Sequence, residues 1–182
     1  MTIWSDEVFE GNMRFGLKVK ETLFEGKSEF QEITIIDTER FGKALLLDNC
    51  WMTSEGDEHF YHEMLVHPAM VTAQQIKRIL VIGGGDGGTV REILRYSEVK
   101  HVDLVEIDGL VLEACKTHLP EIGSAWSDTR LHVHVANGLD FVKDAPKGSY
   151  DIVIVDGADP IGPAACLFED SFFLSCQNCL TP

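Results

Sequence analysis

Three acids in this sequence are placed to act on a cation: Asp86, Glu106 and Asp156. Asp86 lies in LVIGGGDGGTV, residues 80–90, where an apolar run meets glycines and a helix is expected to follow. Gly83, Gly85 and Gly88 satisfy the G-x-G-x-x-G spacing, whose glycines bring backbone N–H groups close to a ligand at a helix N-terminus. A phosphate at that place would be repelled by the Asp86 carboxylate, whereas a sulfonium or ammonium would be attracted. The alternative use of Asp86 is to cap the following helix. Glu106 ends the next apolar run, about twenty residues on, where an acid holds ribose hydroxyls. Dinucleotide enzymes and enzymes of S-adenosyl compounds both place an acid there, so Glu106 does not separate them. Asp156 and Asp159 sit in VDGADPIGP, after a further apolar run, and so fall at the carboxyl edge of a parallel sheet, where such folds bind ligands. Asp-Pro and Gly-Pro are also ordinary turn punctuation. Carboxylates gathered around one cleft repel each other unless a cation fills it, so Asp86, Glu106 and Asp156 together predict a cationic ligand.

Other constellations carry less. His67 follows His62-Glu63 at five residues from His62, whereas the zinc motif H-E-x-x-H needs a spacing of four to put both ligands on one helix face. His59 and His62 share a face, but no set of acids or cysteines completes a metal site, and none is expected. Cys176 and Cys179 form a C-x-x-C late in a predicted helix rather than after a first strand, which argues against redox chemistry. Trp4, Trp51 and Phe15 suit a core, an interface or the apolar wall of a pocket.

The elements that must position these residues read in two parts. From Arg14 to Asp48, LKVKETLF, EITIID and KALLLD are separated by the turn signals EGKS, TERFG and Asn49, as in a small antiparallel sheet. A helix is expected over residues 57–73, broken or bent at Pro68. After Lys77 strand and helix alternate: RILVIGG, GTVREILRY, HVDLVEID, GLVLEACKTHL, RLHVHVAN, a short helix over 139–143, YDIVIVDG and a last helix over 168–180. That alternation predicts a doubly wound α/β sheet with parallel strands. The boundary is expected near residue 60, giving a β domain over 1–60 and a Rossmann-like domain over 61–182. With four parallel strands before the final LTP, the sheet is expected to lack C-terminal strands, as in a shortened chain or one whose partner covers the edge.

Composition bounds the partners. Thirty acidic against fifteen basic residues give a formal charge of −15, which excludes a nucleic-acid surface and suits a cationic small molecule. No apolar run approaches the ~18 residues of a membrane span, and MTIWSDEVFEGN lacks the features of a signal peptide. Five scattered cysteines do not form a disulfide framework. A cytoplasmic location is expected.

In combination, FQEITIID, FGKALLLD, DE-x-x-YHEM, LVIGGGDGG, LVEID and DPIGP-x-x-x-LF resemble the polyamine aminopropyltransferases, the family typified by spermidine synthase. The likeness runs along essentially the whole chain. It implies a methyltransferase-like Rossmann domain, a small N-terminal β domain and an active cleft between them. It implies transfer of the aminopropyl group of decarboxylated S-adenosylmethionine to putrescine or a related amine, releasing 5′-methylthioadenosine, without a further cofactor, in a homodimer or homotetramer. By the resemblance, Asp156 is the proton acceptor, with Tyr61 beside it, and Asp159 grips the far end of the amine. Tyr61, His62 and Asp86 contact substrate, with His62 where other members carry glutamine. Glu106 holds the ribose; Gln31, Gly83, Gly85 and Asp86 contact the nucleoside side, and Pro163 lies near the adenine. Asn137-Gly138 stands where many members have Asp-Gly; the asparagine oxygen can still accept a bond from the adenine amino group. Met52 stands where glutamine is common. The rival readings are an S-adenosylmethionine methyltransferase, whose methionine carboxylate Asp86 would repel, and an inactive amine-binding or assembly homologue.

Overall fold

The computed structural model describes residues 3–158, 160 and 162–182, with the side chains of residues 162 and 163 also outside the description. The N-terminal part is one antiparallel sheet in the order β1 (Ile3–Phe9), β2 (Met13–Lys27), β3 (Glu32–Thr38), β4 (Gly42–Leu47), β5 (Cys50–Ser54). The sheet has two strands more than the sequence patterns indicate. β1 is acidic and half exposed, so it carries no buried alternation, and the turn into β2 rests on Glu10 and Gly11, both with positive φ. β5 follows β4 through Asp48 and Asn49, whose φ values of 48° and 64° are those of a tight hairpin turn that Asp and Asn tolerate. β2 also runs through the expected turn at EGKS as far as Lys27; the chain reverses at Ser28, whose N–H donates to the Gln31 carbonyl at 3.0 Å. The sheet curls back on itself: the Trp51 N–H donates to Glu7 at 2.9 Å, joining β5 to β1.

α1 (Glu58–Thr72) follows and passes through Pro68 without breaking. Pro68 has no N–H for the Met64 carbonyl, but both residues are exposed, so water can satisfy that oxygen. On the opposite side His62, Val66 and Met70 are buried at helical spacing, and that packing holds the helix together across the proline.

The parallel sheet comprises β6 (Arg78–Gly83), β7 (His101–Glu106), β8 (Leu131–Val135) and β9 (Ile152–Asp156), in the order β8-β7-β6-β9. Between them lie α2 (Gly88–Leu94), α3 (Gly109–His118) and α4 (Gly138–Asp144); a 3-10 helix (Gly162–Phe168) and α5 (Asp170–Cys179) follow β9. The expected last helix is thus divided, with Glu169 as the N-cap of α5. One face of the sheet packs against α1 and α2 through Val66, Met70, Val90 and Ile93. The other packs against α4 and α5 through Leu80, Ile82, Val142 and Phe172. The antiparallel sheet sits on α3, burying Ile33, Ile35 and Leu45 against Val111, Cys115 and Leu119. A parallel bridge between Tyr150 and Leu180 lays the last residues beside the start of β9. Doubly wound α/β architecture with an N-terminal antiparallel sheet is therefore the observed fold.

The order places the reversal of strand sequence between β6 and β9, where loops leave in opposite directions and open a crevice at the carboxyl edge. Phe172 on α5 is fully buried against that face. Its replacement by alanine should lower unfolding stability by about 3–5 kcal/mol in urea titration; a loss under about 1 kcal/mol would contradict the packing.

Candidate active site

A cleft of about 460 Å³ opens between the two sheets. Its floor is the carboxyl edge of the parallel strands: Gly83, Gly84, Gly85 and Asp86 after β6, Glu106 at the end of β7, Asn137 and Gly138 after β8, Asp156 at the end of β9. Its roof comes from the antiparallel sheet, with Gln31, Leu45, Leu47, Trp51 and Met52, and Tyr61 of α1 closes one end. The three acids singled out in the sequence do converge on it.

The glycine turn works through close approach. Gly83 pairs with Asp156 in the sheet register, its φ is 81°, and a Cβ there would overlap the Asp156 carbonyl oxygen. The Gly84 N–H donates to that same carbonyl at 2.9 Å. Gly85 leaves room for the Glu106 carboxylate, and Gly88 for the His62 ring, which a Cβ would overlap.

Asp156 is the most constrained group. Its Oδ1 accepts from the Tyr61 hydroxyl at 2.8 Å and its Oδ2 from the Thr89 hydroxyl at 2.6 Å. Burial, and then the charge of Asp86, push its pKa above the ordinary carboxylate value, against the lowering effect of Thr89, His62 and Tyr61. The same surroundings hold the Tyr61 phenol up, burial first and the Asp156 charge second.

Asp86 has a partner at each carboxylate oxygen, although the N-cap of α2 is Gly87. Its Oδ1 accepts from the Gly88 N–H at 2.8 Å in the first turn of α2, and its Oδ2 lies 3.4 Å from His62 Nε2. Oxygens of Asp86 and Asp156 and a nitrogen of His62 lie within 4.8 Å of one another. Those donor types also suit a divalent cation, but an imidazole ligand must be neutral. His62 has a carboxylate at each ring nitrogen: Asp86 at Nε2 and Glu58 at Nδ1, 2.6 Å away. Burial lowers the His62 pKa, but the close approach and charge of Asp86, the hydrogen bond to Glu58 and the charge of Asp156 outweigh it and raise the ring to about 9.

Glu106, Gln31 and Asn137 line the same cleft. Burial lifts Glu106 to about 7, despite a bond from the Asp108 N–H at 2.9 Å. Gln31 lines the cleft and donates to Asp108 Oδ2 at 3.0 Å. Asn137 caps α4, its side-chain oxygen accepting from the Leu139 and Asp140 N–H groups at 2.9 and 3.4 Å. One lone pair of that oxygen is therefore engaged within the chain. Met52 faces the cleft as part of its roof. Asp159 lies outside the described residues, as does the Pro163 side chain. His59 does not join the cleft, and His67 bonds Tyr96 and Glu92 instead.

Sequence reasoning missed Thr89, Glu58, Arg91 and Asp108. Glu58 was legible as the residue four before His62 on one helix face. Thr89 and Asp108 resemble ordinary first-turn residues until the fold brings Asp156 and Gln31 to them.

A Rossmann-type crevice roofed by an antiparallel sheet and lined with acids defines the class of this protein. The family model "Spermine/spermidine synthase domain" matches residues 58–182, and "Spermidine synthase tetramerisation domain" matches 3–55. The chain belongs to the spermine/spermidine synthase family. It is 53% identical over 180 residues to the polyamine aminopropyltransferase of Prochlorococcus marinus strain MIT 9313, and equally to that of strain NATL1A. Each alignment covers 98% of this chain and 62% of the relative, so the chain spans under two thirds of their length. A spermidine synthase crystallised with the transition-state analogue AdoDATO superimposes with a TM-score of 0.96 at 36% identity, covering 98% of this chain and 61% of that one. The Thermotoga maritima spermidine synthase gives 0.91 at 35%, covering 98% and 60%.

The charged state of His62 makes stability depend on pH. Below pH 6.5 the folded and unfolded chains both hold its proton, and the contribution is complete; between 6.5 and about 9 only the folded chain holds it, so stability falls as pH rises. Urea midpoints across that window should drop more steeply for the unaltered chain than for His62→Gln. Parallel curves would show that the ring is not charged in the fold.

Proposed function

We propose that the chain carries the active cleft of an aminopropyltransferase that moves the aminopropyl group of decarboxylated S-adenosylmethionine to putrescine. The observation that supports it most is the convergence of Asp86, Glu106 and Asp156 from three strand ends on one cleft. The ribose hydroxyls of the donor would bind Glu106, offering the hydrogen bonds that a half-neutralised buried carboxylate lacks. Gln31, Gly83, Gly85, Asn137, Gly138 and Pro163 would form the rest of the nucleoside side. Asp86 would face the cationic aminopropyl end, with Asp156, Asp159, Tyr61 and His62 around the amine.

Putrescine is a dication near neutral pH, and an ammonium has no lone pair with which to attack. Asp156 orients one amine and accepts its proton, general-base work of about 10² to 10⁴ in rate. The freed lone pair attacks the methylene carbon beside the sulfonium; the C–S bond breaks, and its electrons neutralise sulfur in methylthioadenosine. The raised pKa of Asp156 brings it nearer the amine it must deprotonate. Tyr61 holds Asp156 Oδ1 and leaves the carboxylate no free rotation. Sulfonium is already a good leaving group, so alignment supplies much of the remaining acceleration. The reaction so written needs no metal or further cofactor.

A homodimer or homotetramer is proposed with it. The match to the tetramerisation domain coincides with exposed Ile3, Phe9, Met13 and Phe15 on one face of β1 and β2, apolar side chains of the kind that mark an interface. The acidic balance of the chain speaks against nucleic acid, and among the described residues no helix is long and apolar enough to cross a membrane. The domain boundary near residue 60 and a cytoplasmic location belong to the same proposal.

The test is methylthioadenosine release, followed by mass spectrometry, with putrescine, cadaverine, agmatine and spermidine competing for the decarboxylated donor. A parallel reaction uses ordinary S-adenosylmethionine. One aminopropylated amine should appear, and Asp156→Asn should cut turnover at least about 10²-fold while methylthioadenosine still binds. Consumption of the ordinary donor alone would favour methyl transfer, and near-normal turnover by Asp156→Asn would remove it as the base. Silence with every amine would favour the inactive homologue.

A further inference from the structure

Behind the cleft the structure holds a line of charges of alternating sign. Glu92 accepts from Arg91 Nε at 2.9 Å. The two terminal nitrogens of Arg91 clamp both oxygens of Glu58, each at 2.9 Å. Glu58 meets His62 Nδ1 at 2.6 Å, and His62 Nε2 faces Asp86 at 3.4 Å. The fork of Arg91 is further fixed by the Ile122 carbonyl at 3.0 Å. His62 is 1% exposed and Glu58 10%, so this line is largely shielded from water, where charge–charge effects are strongest.

The protonation of the ring follows from its partners. Glu58, bidentate with a guanidinium, offers an acceptor to Nδ1, and Asp86, which receives the Gly88 N–H through Oδ1, turns Oδ2 toward Nε2. Nδ1 bonds Glu58 and Nε2 faces the Asp86 carboxylate at ion-pair distance, and a ring with an acid at each nitrogen is held as the imidazolium. The titratable groups facing His62 are Glu58 from α1, Asp86 from the β6–α2 loop and Asp156 from β9, with Arg91 of α2 acting through Glu58 and the Tyr61 ring packed edge-on.

We propose that Glu58, clamped by Arg91, is a positioning residue that keeps His62 a cation aimed at Asp86, and so sets how readily Asp156 gives up its proton. This rests on the reading of Asp156 as the base. The physical route is short. Asp86 beside Asp156 makes the second carboxylate harder to ionise, and the charge of His62 offsets that effect. Without Glu58 the ring loses one of its two acceptors and titrates lower. At neutral pH Asp86 would then face Asp156 with its charge unscreened, and Asp156 would hold its proton to higher pH.

The experiment follows the His62 ring and the Asp156 carboxyl by NMR across pH, in the unaltered chain, Glu58→Gln, His62→Gln and the double variant. In Glu58→Gln the His62 midpoint should fall from about 9 to below neutral, a drop of more than about two units, and the Asp156 midpoint should rise. With His62→Gln already present, adding Glu58→Gln should leave Asp156 where it was. A purely structural role for Glu58 would shift Asp156 in both backgrounds and would overturn the proposal, as would an unmoved His62 midpoint. Amide dispersion reports whether each variant folds; if Glu58→Gln does not, Glu58→Asp, which draws the carboxylate back from Nδ1, must lower the His62 midpoint or the proposal fails. Turnover is read separately: in Glu58→Gln the acidic limb of kcat/KM should move to higher pH. A chain that shows the NMR shifts but transfers no aminopropyl group would refute the proposed reaction and leave the charge relay standing.

Discussion

Asp86 and Asp156 stand with oxygens within 4.8 Å of each other at the ends of adjacent parallel strands, and much of the cleft serves to make that proximity tolerable. Two buried carboxylates so close cannot both ionise freely. Each therefore has partners: donated bonds from the Thr89 and Tyr61 hydroxyls on Asp156, and on Asp86 the Gly88 N–H with the His62 ring 3.4 Å away. The donors restrain the pair without fully neutralising it. What remains is a negative site, the ground on which a cationic substrate is proposed.

The fold makes this arrangement possible because the strand order reverses between β6 and β9. Gly83 lies against Asp156 in register, so the acid of one strand end and the glycine turn of the next occupy the same few ångströms. Three glycines of that turn leave no room for a Cβ, one each against the Asp156 backbone, the Glu106 carboxylate and the His62 ring. The motif therefore serves internal packing as much as any ligand. The antiparallel sheet, seated on α3, then closes the cleft from above with apolar side chains.

The parallel half was legible in the sequence because its strands are buried on both faces and read as continuous apolar runs; RILVIGG is the clearest. β1 and β5 were not, since an exposed, acidic edge strand such as IWSDEVF has no buried alternation to display. Pro68 misled because local rules count the missing N–H and not the packing of Val66 and Met70. Asp86, Glu106 and Asp156 could be found from their places after strands, and their convergence followed from topology. The residues that tune them could not: Arg91 reaches Glu58 across 33 positions, and Thr89 reaches Asp156 across 67, pairings that only the packing of α1, α2 and β9 creates. Asn137 was legible as a cleft residue, but its use as the cap of α4 depends on where that helix begins.

The cleft is proposed to receive a cation beside Asp156. The most direct measurement is the NMR titration of the Asp156 carboxyl in the chain alone and with saturating putrescine and methylthioadenosine. A bound ammonium favours the ionised carboxylate, so the midpoint should fall by about one unit or more. A midpoint that stays fixed or rises under saturation would contradict the account, because no cation would then have come within reach of the acid.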